Sequence, residues 1–323
     1  MKIKIMIAIA ATTLMAQAQT NLIFSTDTIY LPGTNWWTNM SVVGTGRGIV
    51  VSNVGVLNMS MPAIIATNAI LSGLIITNLG TGDLIGNWYD IGGVGPKIAQ
   101  ITTINDCMLV VTGAASHAIN FHADLSGGTN LFQVNMHNVE LHSVYEGFEQ
   151  NNVVGVYDSC RWFAKSVGAF AVAAGLDTGT NRISNSLFSA TGNGYGPNTC
   201  LVNGGGSETT LSHCVFHIEP SSQGNGGPGG DLGYDAAWTF DAGDVFAVAQ
   251  DCLFELNSIG NPAPVSMMQV DSSTTGTVKL INCFYYPETN GVIIVNNSHL
   301  QFIVYGGNLT PTNFYNPSMV TWH

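Results

Sequence analysis

Leu211-Ser212-His213-Cys214-Val215-Phe216 is one copy of a short pattern (apolar, any residue, turn-former, small apolar, any residue, large apolar) that recurs along the chain. Clear copies are Ile104-Asn105-Asp106-Cys107-Met108-Leu109, Ile183-Ser184-Asn185-Ser186-Leu187-Phe188 and Leu280-Ile281-Asn282-Cys283-Phe284-Tyr285; looser ones begin at Leu71, Met136, Tyr157 and Ala249. The third column reads Gly73, Asp106, Asn138, Ser159, Asn185, His213, Asp251 and Asn282. Gly, Asn, Asp and His tolerate a left-handed backbone at the least steric cost, so this column predicts a one-residue bend between two strands, with Ser159 its least typical member. The next column reads Leu74, Cys107, Val139, Cys160, Ser186, Cys214, Cys252 and Cys283, and two places on come Ile76, Leu109, Leu141, Trp162, Phe188, Phe216, Phe254 and Tyr285. Side chains two apart on a strand point the same way, so the small and large columns stack into one dry core.

Successive copies lie 33, 32, 21, 26, 28, 38 and 31 residues apart, counted between the small positions 74, 107, 139, 160, 186, 214, 252 and 283. Such spacing suits coils of fixed core and variable loops. Ahead of most copies lies another short apolar run: Ala118 to Phe121, Phe170 to Ala173, Cys200 to Val202, Trp238 to Phe240, and Met267 to Val270. With that run as strand A, the segment before the bend as strand B and the one after it as strand C, the reading is all-β. It is a single-stranded parallel β-helix, a solenoid with three short strands per coil and about nine to eleven coils.

Val42-Val43-Gly44-Thr45-Gly46 resembles the opening coil, and Ile70-Leu71-Ser72-Gly73-Leu74-Ile75-Ile76-Thr77-Asn78 the repeat, of the pectate-lyase-like family of right-handed parallel β-helix proteins. The resemblance spans most of residues 40–305 and concerns fold. It implies a right-handed winding and a substrate surface on an exposed parallel sheet walled by loops. The Asn-Thr-Asp, Asp-Asp, Gly-His-Gly and Arg-x-Lys signatures of its hydrolases do not occur in the sequence.

Met1-Lys2-Ile3-Lys4, the apolar run from Ile5 to Met15 and the small-x-small step Ala16-Gln17-Ala18 have the form of a signal peptide, which predicts export and a mature chain starting near Gln19. The expected organisation is a signal peptide over 1–18, an N-terminal cap and opening coil over 19–60, the β-helix over 61–305 and a C-terminal tail over 306–323. No apolar run reaches the roughly 20 residues of a membrane span. Without Lys2 and Lys4 the chain keeps 8 − 2 = 6 basic residues against 20 acidic ones, a formal charge of 6 − 20 = −14. That balance disfavours nucleic acid and anionic lipid as partners, and it disfavours polyuronates unless calcium bridges the charges.

An exported protein ordinarily uses cysteines for disulfides. Here five of the six cysteines share one column. In-register neighbours on parallel strands lie about 4.8 Å apart with side chains aligned, a poor geometry for a relaxed bridge, so free buried thiols are expected. Cys200 stands outside the column, without an assigned partner. The eight histidines contain no HExxH, and no metal site is assigned. An Asx column after strand A (Asp177, Asn203, Asp241, Asp271) reads as turn capping or as calcium ligation, with Asp241 and Asp244 the best local pair.

The outward positions of strand C carry the functional expectation. Three places after the small column come Val110, His142, Phe163, Ser189, His217, Glu255 and Tyr286; one place after it, Glu140 and Arg161 become neighbours; five places after it comes Glu219. His217, Glu219 and Glu255 are candidates for acid–base chemistry. Glu140, His142, Arg161 and Tyr286 are candidates for ligand binding, joined by Tyr195 and Tyr234 from the loops and by Trp238 beside them, because aromatics next to polar groups suit carbohydrate rings. The leading expectation is a secreted protein that binds polysaccharide or surface glycan. The alternatives are a divergent polysaccharide lyase or glycoside hydrolase, and a structural adhesin or phage tailspike-like appendage. Trp36, Trp37 and Trp88, taken as exposed, fit either a homotrimer interface or the N-terminal cap.

Overall fold

The computed structural model describes residues 20–24, 29–52, 62–80, 82–86, 100–113, 117–122, 132–144, 146–166, 171–176, 178–192, 198–220, 235–257, 265–287 and 291–323. The signal-peptide expectation lies outside them. So do Trp88, Asp177, Tyr195 and Tyr234.

All eight bend positions have a left-handed backbone: φ is 66° at Gly73, 52° at Asp106, 51° at Asn138, 56° at Ser159, 51° at Asn185, 53° at His213, 52° at Asp251 and 50° at Asn282. One residue at this φ turns the chain sharply without breaking the hydrogen bonding on either side. From Asp106 to Asn282 the amide of each bend reaches the next coil, as in Asp106 N–H to His137 O (3.0 Å) and Asn185 N–H to Ser212 O (3.0 Å). Side-chain amides run along the corner as well: Asn138 Nδ2 donates to Asp106 Oδ1 at 2.8 Å and Asn282 Nδ2 to Asp251 Oδ1 at 2.6 Å. Ser159 conforms despite its residue type, and its hydroxyl donates to Asp158 Oδ2 at 3.1 Å.

Strands B and C of successive coils pair in parallel, as in Gly179–Ser184 with Ser207–Ser212 and Leu187–Gly192 with Val215–Pro220. They join one 20-stranded sheet that folds over the bend column. Strands A form a second sheet of ten, whose spatial order follows chain order from Asn35–Thr38 to Ile294–Val295. A chain in which every coil rests on the one before it is a parallel β-helix. The tail continues this winding, since Val320–Trp322 pairs in parallel with Leu300–Tyr305 and Phe314 packs against Phe302 (5.4 Å) and Trp322 (5.7 Å).

Both core columns are buried throughout. The large column forms a ring stack: Trp162 on Phe188 at 4.5 Å, Phe188 on Phe216 at 4.9 Å, and Phe216 on Phe254 at 4.6 Å, with interplanar angles of 13°, 9° and 7°. Such ring pairs contribute about 0.5–1.5 kcal/mol each beyond area burial. All six cysteines are buried and unbridged. Cys200 belongs to strand A, in register between Ala173 and Ala237, and its thiol donates to the His217 carbonyl at 3.2 Å. Burial pushes the thiols of Cys160 and Cys200 up to about 12 and that of Cys107 to about 11.

Three expectations are corrected. Trp238 is core: it is fully buried, lies parallel to Phe216 at 6.1 Å, tilts over Phe240 at 4.8 Å, and its Nε1 donates to Asn203 Oδ1 at 2.7 Å. Strand Ala236–Asp241 is covered on both sides up to Phe240, so it has no polar alternation to show which way the ring turns. Asn203 aligns with Phe240 rather than with Asp241. It points inward, where it donates to Thr209 Oγ1 at 2.7 Å. Trp37 is buried against Phe24 at 6.3 Å, while Trp36 remains half exposed.

Two outcomes test this packing. His213→Gly should be close to neutral, whereas His213→Val should lower unfolding free energy by about 1–2 kcal/mol because a β-branched side chain opposes positive φ; equal midpoints in urea for the two variants would contradict the bend assignment. Iodoacetamide at pH 8 should leave the native protein unmodified and modify all six thiols in denaturant without reductant, read by intact mass.

Candidate functional site

The outward row of strand C is in register over six coil-to-coil steps: Val110, His142, Phe163, Ser189, His217, Glu255 and Tyr286. These side chains step along the axis at about 4.8 Å per coil. His217 lies between two carboxylates. Its Nδ1 is 3.0 Å from Glu255 Oε2 on the next coil and its Nε2 is 3.2 Å from Glu219 Oε2 on its own strand. All three side chains are partly exposed. Beside Glu255, Tyr286 is 68% exposed.

A second group lies toward the N-terminus. His142 Nε2 is 2.6 Å from Glu140 Oε1, Arg161 Nη1 donates to Glu140 Oε2 at 3.3 Å, and the His142 and Phe163 rings stack at 4.9 Å and 14°. Between strand C and the bend column runs a shallow depression lined by Asn138, Ser159, Arg161, Asn185, Leu187 and His213. The candidates Glu140, His142, Arg161, His217, Glu219, Glu255 and Tyr286 therefore share one face.

The arrangement constrains the chemistry. A glycosidase needs two carboxyl groups flanking an open gap where the sugar and a water sit. Here an imidazole fills the space between Glu219 and Glu255, within hydrogen-bond distance of both. As a neutral ring His217 can donate to only one of them. The carboxylate that His217 leaves without a donor can accept a hydrogen bond from a bound hydroxyl.

Of the calcium pair, Asp241 is exposed, and its carboxyl is raised by partial burial and by the charge of Asp271; Asp244 Oδ1 accepts from Thr275 Oγ1 at 3.3 Å. Asp271 caps its turn, accepting from the Ser273 amide at 2.8 Å and hydroxyl at 2.5 Å, contacts that hold it below the ordinary carboxylate range. Among the described residues no group of three or more His, Cys, Asp or Glu side chains is placed to hold a metal ion.

No family model and no curated protein matches the chain. Among solved structures it is similar to ORF18 of Geobacillus virus E2, with 12% identity, a TM-score of 0.43, and coverage of 95% of this chain and 53% of that one. It is also similar to tailspike protein 3 of bacteriophage CBA120, with 8% identity, a TM-score of 0.35, and coverage of 90% and 54% respectively. The chain thus spans about half the length of either protein.

One cluster escaped the sequence reading. On the strand A side, His117 Nδ1 lies 2.8 Å from Asp83 Oδ1 on the preceding coil and its Nε2 lies 3.2 Å from Glu149 Oε2 on the following one. Asn120 Nδ2 donates to Asp83 Oδ2 at 2.8 Å. A partial signal existed: His117 follows Asp83 by 34 residues, the same offset that pairs Ile85 with Ile119, whereas Glu149 is in register with Asn120 and meets His117 from three places along its strand. Burial alone would raise Asp83, but the contacts with His117 and Asn120 outweigh it and hold the carboxyl below its usual value.

A depressed folded-state pKa contributes stability above the ordinary carboxylate range, and that stability is lost as pH falls through the folded value. Asp83→Asn should therefore cost about 1–3 kcal/mol at neutral pH, and the difference from wild type should close toward pH 3, measured by denaturant unfolding across pH. A difference independent of pH would contradict the assignment.

Proposed function

We propose that this chain is an exported β-helix protein that holds a polysaccharide or surface glycan on the outward face of strand C. The observation that carries the reading is the register of that row. It places the stacked His142–Phe163 pair toward one end, the exposed Tyr286 ring at the other, and the partly exposed His217 and Glu255 between them. Aromatic rings offer platforms for the apolar faces of sugars, and the carboxylates and imidazole offer partners for hydroxyls. A surface built along a rigid axis also keeps such groups pre-spaced for an extended polymer, which lowers the ordering cost of binding.

A lyase or hydrolase using Glu219, Glu255 and His217 is the competing reading, and the filled gap between the two carboxylates weighs against it. The formal charge of −12 for the full chain favours neutral glycans over polyanionic ones. A glycan-holding face serves a free binding protein and a tailspike-like appendage equally well; the two differ in assembly, not in this surface.

A panel of neutral and acidic polysaccharides decides the matter, with retention and the release of reducing or unsaturated ends both measured. Retention of a neutral glycan without new ends is expected, and Tyr286→Ala or Phe163→Ala should weaken it by about 1–2 kcal/mol, roughly five- to thirty-fold. End release that Glu255→Gln abolishes would establish the enzyme instead. Failure to retain any glycan would contradict both readings.

A further inference from the structure

The outward face of strand B differs from the rest of the molecule. Its three rows are in register from coil to coil, the central one passing from Ile70 through Val156 and Arg182 to Lys279. Six of the chain's exposed large apolar side chains stand on it: Val43, Ile70, Ile101, Val156 (39% exposed), Phe246 (43%) and Tyr305. Most of the remaining positions are Ser, Thr, Asn and Gln. Apart from His137, the charged residues of its three rows among those described are Asp158, Arg182, Glu208 and Lys279, two of each sign, and Asp244, exposed on the outward side of the strand that carries Phe246, adds one negative charge. A chain with 20 acidic and 8 basic residues thus carries one long face whose charges nearly balance.

We propose that this strand B face is where a second copy of the chain docks. Two copies of an acidic protein repel wherever their acidic surfaces meet, and they approach most easily where the net local charge is smallest. The face is a regular parallel sheet, a shape that packs against another sheet about 10 Å away. Ten coils and three rows give a patch of about 45 Å by 15 Å, roughly 700 Å², close to the ~800 Å² each partner contributes to a standard interface. Its mixture of scattered apolar groups with hydroxyls and amides is the composition of an interface between separately folded partners rather than of a core cut in half. Docking here leaves strand C uncovered, so a dimer or closed trimer would present two or three glycan faces and gain avidity on a repetitive polymer.

Light scattering after size exclusion, on the full chain at micromolar concentration, tests the inference. Wild type is expected at two or more chains per particle. The pair Val156→Glu and Phe246→Glu, both outward, should reduce it to one chain with an unchanged circular dichroism spectrum. Tyr286→Ala, on strand C, should leave the assembly intact. A monomeric wild type, or an oligomer that survives the paired substitution, would overturn the proposal. Should the charged pair fail to fold, Thr210→Cys on the same face supplies the reading: its thiol should be shielded from maleimide in concentrated protein and labelled on dilution, and equal labelling under both conditions would overturn it.

Discussion

A single residue held at φ near +50° between two strands is the constraint on which this molecule rests. Eight successive coils carry it at the corner between strands B and C, mostly on Gly and short polar residues, which accept that backbone cheaply, and four coils repeat it at the A–B corner at Asn39, Asn68, Asn152 and Ala242. Each occurrence resets the register, so the residue after the bend faces inward and the residue two further on does too. The stacked thiols and the ring stack from Trp162 to Phe254 follow from that repetition. Were the bend to slip by one position, every strand C side chain would exchange core for solvent.

The same constraint builds the candidate site. Val110 and Tyr286 are far apart in sequence, yet they belong to one row because each stands three places after its small core residue. His217 meets Glu255 across a coil step, and Glu140 meets Arg161 in the same way. Nothing in either pair's own neighbourhood brings them together; the winding does. A rigid axis with outward groups at fixed intervals suits a polymer ligand, and it separates the His- and Glu-bearing row of strand C from the face of low net charge on strand B.

Legibility varied with the strand. Strands B and C carry a positional marker, the bend, so the eight-member columns and the outward row were readable to the residue. Strand A is followed by such a bend only at Asn39, Asn68, Asn152 and Ala242, and it is buried on both sides along much of its length, as the continuous burial of Ser266–Val270 shows. Period-two alternation is therefore absent there, and Trp238 and Asn203 were assigned to the wrong side. The Asp83–His117–Glu149 cluster was missed for the same reason, although Asp83 and His117 stand one coil length apart in the sequence.

The central claim is that residues on strand C of successive coils form one straight row. Its most direct test is the separation between spin labels at Phe163→Cys and Tyr286→Cys, which the buried native thiols permit without background labelling. Four coil steps predict a narrow distribution centred at about 20 Å before allowance for the label arms. A broad distribution, or one centred at more than twice that separation, would contradict the winding and the surface derived from it.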